Sequence, residues 1–195
     1  TNKVIMDQGT NSKNTFQFWI NASSKLQVYM DDDGSGWAIN PIGATTIVAD
    51  TWLHVAIVHQ GSNIKMYLDG TLDSNFSSVT LASMNHNTGE PIIIGDALPH
   101  SAGDQFAGYL DEVRISNTAR YTANFTPSAS AFTNDANTKL LLHMDGANDG
   151  TVFTDSSTVA KHVITTSGNV TNTRVSDHLV DTSWLGTNAS HVIGP

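Results

Sequence analysis

The stretch WLHVAIVHQGSNIKMYLDG, Trp52 to Gly70, decides the fold class. Its first eight residues, Trp52 to His59, are apolar on both faces of a period-two pattern, the composition of a strand with a layer on either side. On that pattern Trp52 to His59 is expected to be the most buried element. Gln60-Gly61-Ser62-Asn63 is a turn composition that folds the chain back into Ile64 to Leu68. Asp69-Gly70 supplies a second turn, since glycine adopts positive φ at little steric cost. The expected product is a three-stranded antiparallel meander.

The same punctuation recurs outward from there. Short apolar runs at Lys3 to Met6, Phe16 to Ile20, Leu26 to Met30, Ala44 to Val48, Ile92 to Ile94 and Tyr109 to Ile115 are separated by Gly, Asn, Asp and Ser clusters. Helical periodicity of any length is missing, so the spacing predicts an all-β sandwich or barrel. One helical turn is expected over Ser116 to Tyr121, capped by Ser116 or Asn117 and ended by Phe125-Thr126-Pro127. The small, polar segment Ser128 to Asn137 is read as a boundary. It divides a β-sandwich over 1–130 from a β-rich extension over 131–195, in which Leu140 to Gly146, Val152-Phe153 and His162 to Thr165 are the candidate strands.

The chain has 195 residues, 39% hydrophobic and 14% charged. At this length folding buries roughly 70% of the unfolded surface, so a two-layer core forms without a staple. It contains no cysteine, which excludes disulfides and thiolate metal sites. That suits an assembly built inside a cell, or a bacterial surface protein. A net charge of −9, with no run of Lys or Arg, lacks the electrostatic footprint of a nucleic-acid binder. No apolar stretch approaches the roughly 18 residues of a membrane helix, and no signal-peptide pattern opens the chain. Strand pattern begins almost at Thr1, so an excerpt or processed product is expected.

Three motifs occurring in order, Trp52 to Gly70, IIIGD (Ile92 to Asp96) and GYLDEVRIS (Gly108 to Ser116), resemble the LamG-like family over residues 3–127. The pentraxins share its general plan. The resemblance implies a two-sheet antiparallel jelly-roll sandwich of the concanavalin A-like kind. Arg120 to Ser157, RYTANFTPSASAFTNDANTKLLLHMDGANDGTVFTDSS, resembles linkers of tandem LamG-like proteins, including bacteriophage structural and tail-fibre proteins. In those, Leu-Leu-Leu-His-x-Asp-Gly opens a unit. Residues 131–195 therefore either complete the sandwich or open a second one. An open sheet edge is expected to pair with the chain's own C-terminal strand or with another copy, making a homo-oligomer an expected state.

Laminarinase-type glucanases share this architecture, and glycoside hydrolysis needs two carboxyl groups roughly 5 to 10 Å apart on one face. On a strand that means i, i+2 or i, i+4 spacing. Asp111-Glu112 are adjacent and so point to opposite faces. Asp111 is expected to bond a loop backbone or Arg114, with Glu112 in solvent. No metal-type histidine grouping, Gly-x-Ser-x-Gly elbow or phosphate loop occurs. The chain is therefore expected to be non-catalytic, and no catalytic residue is assigned. His54 is expected to be a structural histidine pointing away from His59.

Binding candidates remain. Asp96, with Asp104-Gln105 closing the same loop, resembles the acidic calcium loop of pentraxins and offers the oxygen ligands calcium takes. Asp31-Asp32-Asp33-Gly34-Ser35-Gly36 reads as a hairpin tip, with Trp37 beside it as an exposed ring for stacking a sugar and Asp33 as its polar partner. Trp19 and Trp52 are expected in the core. The resulting expectation is a non-catalytic module of a virion, as in a phage tail fibre, spike or capsid decoration, or of a cell surface. Its partners would be neighbouring subunits and host-surface glycan, without nucleic acid or membrane insertion. The alternative is a calcium-assisted carbohydrate-binding lectin domain of a bacterial surface protein.

Overall fold

The computed structural model describes residues 2–10, 13–31, 39–76, 91–97, 103–158, 162–166, 168, 170–171 and 191–193. Among these, every regular element is a strand. In chain order they are β1 Lys3–Thr10, β2 Lys13–Ile20, β3 Leu26–Met30, β4 Trp52–Leu53, β5 Val55–Gln60, β6 Asn63–Leu68, β7 Thr71–Phe76, β8 Ile92–Ile94, β9 Leu110–Asp111, β10 Val113–Ser116, β11 Thr138–Leu142 and β12 His191–Ile193. All pairings are antiparallel. One layer is the four-stranded sheet β3-β2-β1-β8. Facing it are the meander β5-β6-β7 and the set β4-β12-β9, while β10 and β11 pair with one another.

The two layers meet through the alternate positions of each strand, as period-two geometry requires. Ile5, Ile20 and Leu26 of the first layer pack on Met66 and Leu68 of β6, with Leu53, Val55, Ile57 and Leu110 around them. A second cluster joins Val28 and Met30 to Ile64. Fully burying one such side chain contributes about 1.5–3 kcal/mol, so this inner face is the main source of stability.

Trp52 to Gly70 forms the expected meander. Val55 stands opposite Leu68 and Gln60 opposite Asn63, and Asp69-Gly70, at φ 46° and 74°, closes the next hairpin on Thr71. Positive φ at both central residues is the tight turn whose twist suits a hairpin. Gly70 has a further reason: a Cβ there would overlap the backbone carbonyl of Phe125, whose N–H donates to Gly70 O at 2.9 Å. β3, β6 and β11 are all more buried than β5, however. β6 lies between two partners, whereas β5 is the meander's outer strand and is broken from β4 at His54.

Three other expectations change. Ala44 to Val48 makes bends, because the Asp73 carboxylate accepts the N–H groups of Ala44 and Thr45 at 3.0 and 2.8 Å and takes them from any ladder. Ser116 to Tyr121 forms no helical turn: the Ser116 hydroxyl accepts from Arg120 Nε, and Arg120 forks onto Asp135 at 2.7 and 3.0 Å. The segment instead lies over the outer face of β6. Tyr121 and Phe125 stack at 3.6 Å, both meet Tyr67, and Lys65 Nζ donates to Thr122 O. His54, 1% exposed, lies edge-on to Tyr121, Phe125 and Phe132, a structural setting. His59 stands opposite Ile64 toward the inner cluster.

Leu140, Leu141 and Leu142 of β11 are buried and pair with Ile115, Arg114 and Val113. Asp155, 2% exposed, fastens the following turn by accepting N–H groups from Leu141, Ser157 and His162. Burial alone would raise its pKa; the His162, Ser157 and Leu141 donors outweigh it and hold the carboxyl below its ordinary value. Val152-Phe153 and 162–165 are not strands.

Candidate functional site

The outer face of β3-β2-β1 differs from the inner one. Along β2, Phe16, Phe18 and Ile20 point inward to the apolar clusters, leaving Thr15, Gln17 and Trp19 on the other side. Register continues this face across the sheet: Asp7 stands opposite Gln17 and Gln17 opposite Tyr29, while Trp19 lies between Val4 and Gln27. Asp31 extends the pattern, donating its N–H to Thr15 O at 3.1 Å. Asp7 and Asp31 are 0% exposed, Thr15 2%, Gln17 5% and Gln27 6%. Such a concentration of buried polar groups on one sheet face costs desolvation unless each is bonded. Gln27 Oε1 accepts from Asn21 Nδ2 at 3.1 Å.

Two rings remain partly exposed on this face. Trp19 and Tyr29 are tilted at 53° with centroids 5.2 Å apart. The Trp19 indole Nε1–H is sealed from water and meets no acceptor among the described residues. An unsatisfied buried donor costs about 1–3 kcal/mol, so the indole N–H is a local weak point of this face. The expectation of Trp19 in the core is thus corrected. Its position two residues from Gln17 puts it on the polar face, a signal already present in the alternation of Thr15, Gln17 and Trp19.

A second polar site lies where β9 meets β10. Glu112 takes φ 50°, a left-handed conformation uncommon for a side-chain-bearing residue, and this breaks the alternation between the two strands. The expectation of a solvated Glu112 is overturned: the residue is 1% exposed, and its carboxylate accepts from Phe132 N and meets His143 Nδ1, both at 2.7 Å. Burial raises its pKa, and the Phe132 N–H and His143 oppose that rise. Arg114 does not pair with Asp111. Its guanidinium lies 3.8 Å over the Phe132 ring and donates to Tyr121 Oη. Asp111 is pushed up to about 8 by desolvation first, then by the charge of Glu112, with Asp145 adding to it.

A groove of about 500 Å³ runs between the 45–53 segment and the β6–β7 turn. Its two carboxylates are engaged, Asp69 by His54 N and Asp73 by Ala44 N and Thr45 N. It offers walls of threonine and aliphatic carbon rather than a convergent polar set.

A family model of laminin G type, described as the concanavalin A-like lectin/glucanases superfamily, matches residues 1–124. The chain belongs to this superfamily. The match takes in β1 to β10 of this concanavalin A-like domain, including the polar outer face, Asp111 and Glu112. Curated proteins and solved structures each yield no match to it.

Of the residues expected to bind ligand in the concanavalin A-like domain, Trp37 and Asp33 lie outside the described residues. The loop expected to hold calcium is described at its two ends. Phe106 N donates to Gly95 O and Val4 N to Asp104 O, so the backbone brings Asp96 alongside Asp104 and Gln105 at the β1 edge. Asp96 Oδ1 accepts from Ala97 N, Asp104 Oδ2 is 3.4 Å from Asn2 Nδ2, and Gln105 is exposed. Calcium takes six to eight oxygens. Side chains, backbone carbonyls and water supply these together, and among the described residues no three histidine or acidic side chains group as a metal site.

Proposed function

We propose that this concanavalin A-like domain is a non-catalytic carbohydrate-binding module that takes its ligand on the outer face of β1, β2 and β3. The observation that carries the reading is Trp19: a partly exposed ring beside Tyr29, on a face of amides and carboxyls, with an indole N–H that lacks an acceptor among the described residues. A sugar ring presents an apolar face for stacking and hydroxyls that both donate and accept, which matches such a surface. The superfamily's lectin members point the same way.

The superfamily also includes glucanases, and the non-catalytic reading rests on carboxylate placement. Asp7 and Asp31 share the face but stand two strands apart and one further step along. Both are 0% exposed, whereas a glycosidase pair must flank the scissile bond of its substrate. Glu112 is held by Phe132 and His143 rather than offered to a substrate. A place in a virion or on a cell surface, among neighbouring copies, extends this proposal and accords with the tandem-unit character of 120–157.

The test is retention on a glycan array, with and without chelator, for the full chain and for Trp19→Phe and Trp19→Ala. Binding should fall severalfold in Trp19→Phe, which keeps a ring but loses the N–H, and further in Trp19→Ala. Unchanged retention in both variants, or release of reducing sugar from a retained glucan, would overturn the reading.

A further inference from the structure

We infer that Asn21 is a positioning residue of the Trp19 face: it takes the Gln27 side-chain oxygen and so leaves the Trp19 indole N–H without an internal acceptor. This rests on the carbohydrate-binding reading and names the residue that prepares its central group. At the β2–β3 turn, Asn21 Oδ1 accepts from Ser23 N at 2.9 Å and from Lys25 N at 3.2 Å. Backbone N–H groups only donate, so the end of the Asn21 carboxamide that meets them must be its oxygen. Its NH2 end is then the one at Gln27, and it donates to Gln27 Oε1 at 3.1 Å. A donor there admits only the oxygen of the Gln27 amide, so neither amide can turn over without losing a bond. The turn thus fixes the Gln27 side chain, which is 6% exposed.

Gln27 stands directly opposite Trp19 across the β2–β3 pair. Residues opposed in this way have Cβ atoms about 4.5–5.5 Å apart. On its other side Trp19 faces Val4, which has no polar side chain. Of its two register partners, Gln27 is therefore the one with a side-chain acceptor, and Asn21 has already taken that oxygen. This accounts for an indole N–H that is sealed from water and yet meets no acceptor among the described residues.

The experiment pairs the Trp19 indole ¹H–¹⁵N resonance of the full chain, recorded without ligand at neutral pH, with retention on the glycan array. Asn21→Asp keeps an oxygen for Ser23 N and Lys25 N but has no N–H to donate. The Gln27 amide should turn over to give the new carboxylate its NH2 end, which brings Oε1 round toward Trp19. The Trp19 resonance should then move downfield without ligand, and retention should fall about fivefold, the worth of one hydrogen bond at roughly 1 kcal/mol. Gln27→Met removes the acceptor altogether and should lack the downfield shift. An unmoved resonance in Asn21→Asp, or the same downfield shift in Gln27→Met, would overturn the role of Asn21 and leave carbohydrate binding intact. A shifted resonance with undiminished retention would overturn instead the reading that the ligand uses this N–H. Retention of no glycan by the parent would overturn the carbohydrate reading, and the resonance alone would then decide the role of Asn21.

Discussion

Replacing Glu112 by alanine is expected to cost this domain about 4 kcal/mol. The carboxylate is 1% exposed and makes two 2.7 Å contacts, to Phe132 N and His143 Nδ1. Alanine leaves the Phe132 N–H without its acceptor, about 1–3 kcal/mol by itself. It also takes from His143 Nδ1, whose side chain is 24% exposed, the carboxylate oxygen it meets at 2.7 Å, and a hydrogen bond to a charged group contributes about 1.5–3 kcal/mol. The two losses concern different oxygens, and the middles of the two ranges together give about 4 kcal/mol. Alanine inherits φ 50° and gains no relief from backbone strain. Glu112→Gln keeps an oxygen for Phe132 N and should cost roughly half as much. At about 2–4 °C per kcal/mol for a chain of this size, the alanine variant should melt about 8–16 °C lower. Urea unfolding at constant m-value supplies the free energy. A double-mutant cycle with His143→Ala should return a coupling of at least about 1 kcal/mol. An alanine variant within about 1 kcal/mol of the parent would refute the claim that this carboxylate pins Phe132 and His143 to the sandwich.

Two further perturbations test the same region and the meander. Asp111 is raised to about 8 in the fold against an ordinary 3.8, so the native state holds its proton more tightly than the unfolded chain. Stability from this residue is therefore fully present below pH 3.8 and is lost as pH rises toward about 8. The ceiling is about 6 kcal/mol at 1.36 kcal/mol per pH unit, and solvent screening of this partly exposed group reduces it to about half or less. Asp111→Asn should stabilise the chain by about 2–3 kcal/mol at pH 8.5 and flatten its alkaline decline, measured by urea unfolding between pH 5 and 9. A variant as pH-sensitive as the parent would refute that assignment. Gly70→Ala should cost more than about 2 kcal/mol, because φ is 74° and the new Cβ would overlap the Phe125 carbonyl, displacing the 121–127 segment; thermal melting and near-ultraviolet circular dichroism of Tyr67 and Tyr121 would read it.

The fold was legible where one strand is fixed by its own alternation and a short turn. Trp52 to Gly70 gives the meander, and Leu26 to Met30 and Ile92 to Ile94 match β3 and β8 residue for residue. Legibility ends where side chains compete with the ladder. Nothing local to Ala44 to Val48 reports that Asp73, 28 residues on from Thr45, takes its N–H groups. Nothing local to Asp111-Glu112 reports the positive φ at Glu112 that interrupts the strand and buries both its contacts. The outer face was half legible. Thr15, Gln17 and Trp19 alternate plainly, yet which of two faces meets the second layer is decided by the cross-strand register with Asp7, Gln27 and Tyr29. The calcium loop lacked a comparable internal check, because ligand number depends on how loop backbone converges.

The most direct measurement follows the indole N–H resonances of the chain's four tryptophans, Trp19, Trp37, Trp52 and Trp184, by ¹H–¹⁵N correlation during titration with a neutral oligosaccharide that the array retains. Binding at the outer face should move the Trp19 resonance saturably and downfield as its N–H gains an acceptor, with Trp52 and Trp184 unmoved. A bound state in which Trp19 stays fixed while Trp37 or another indole shifts would contradict the proposed site.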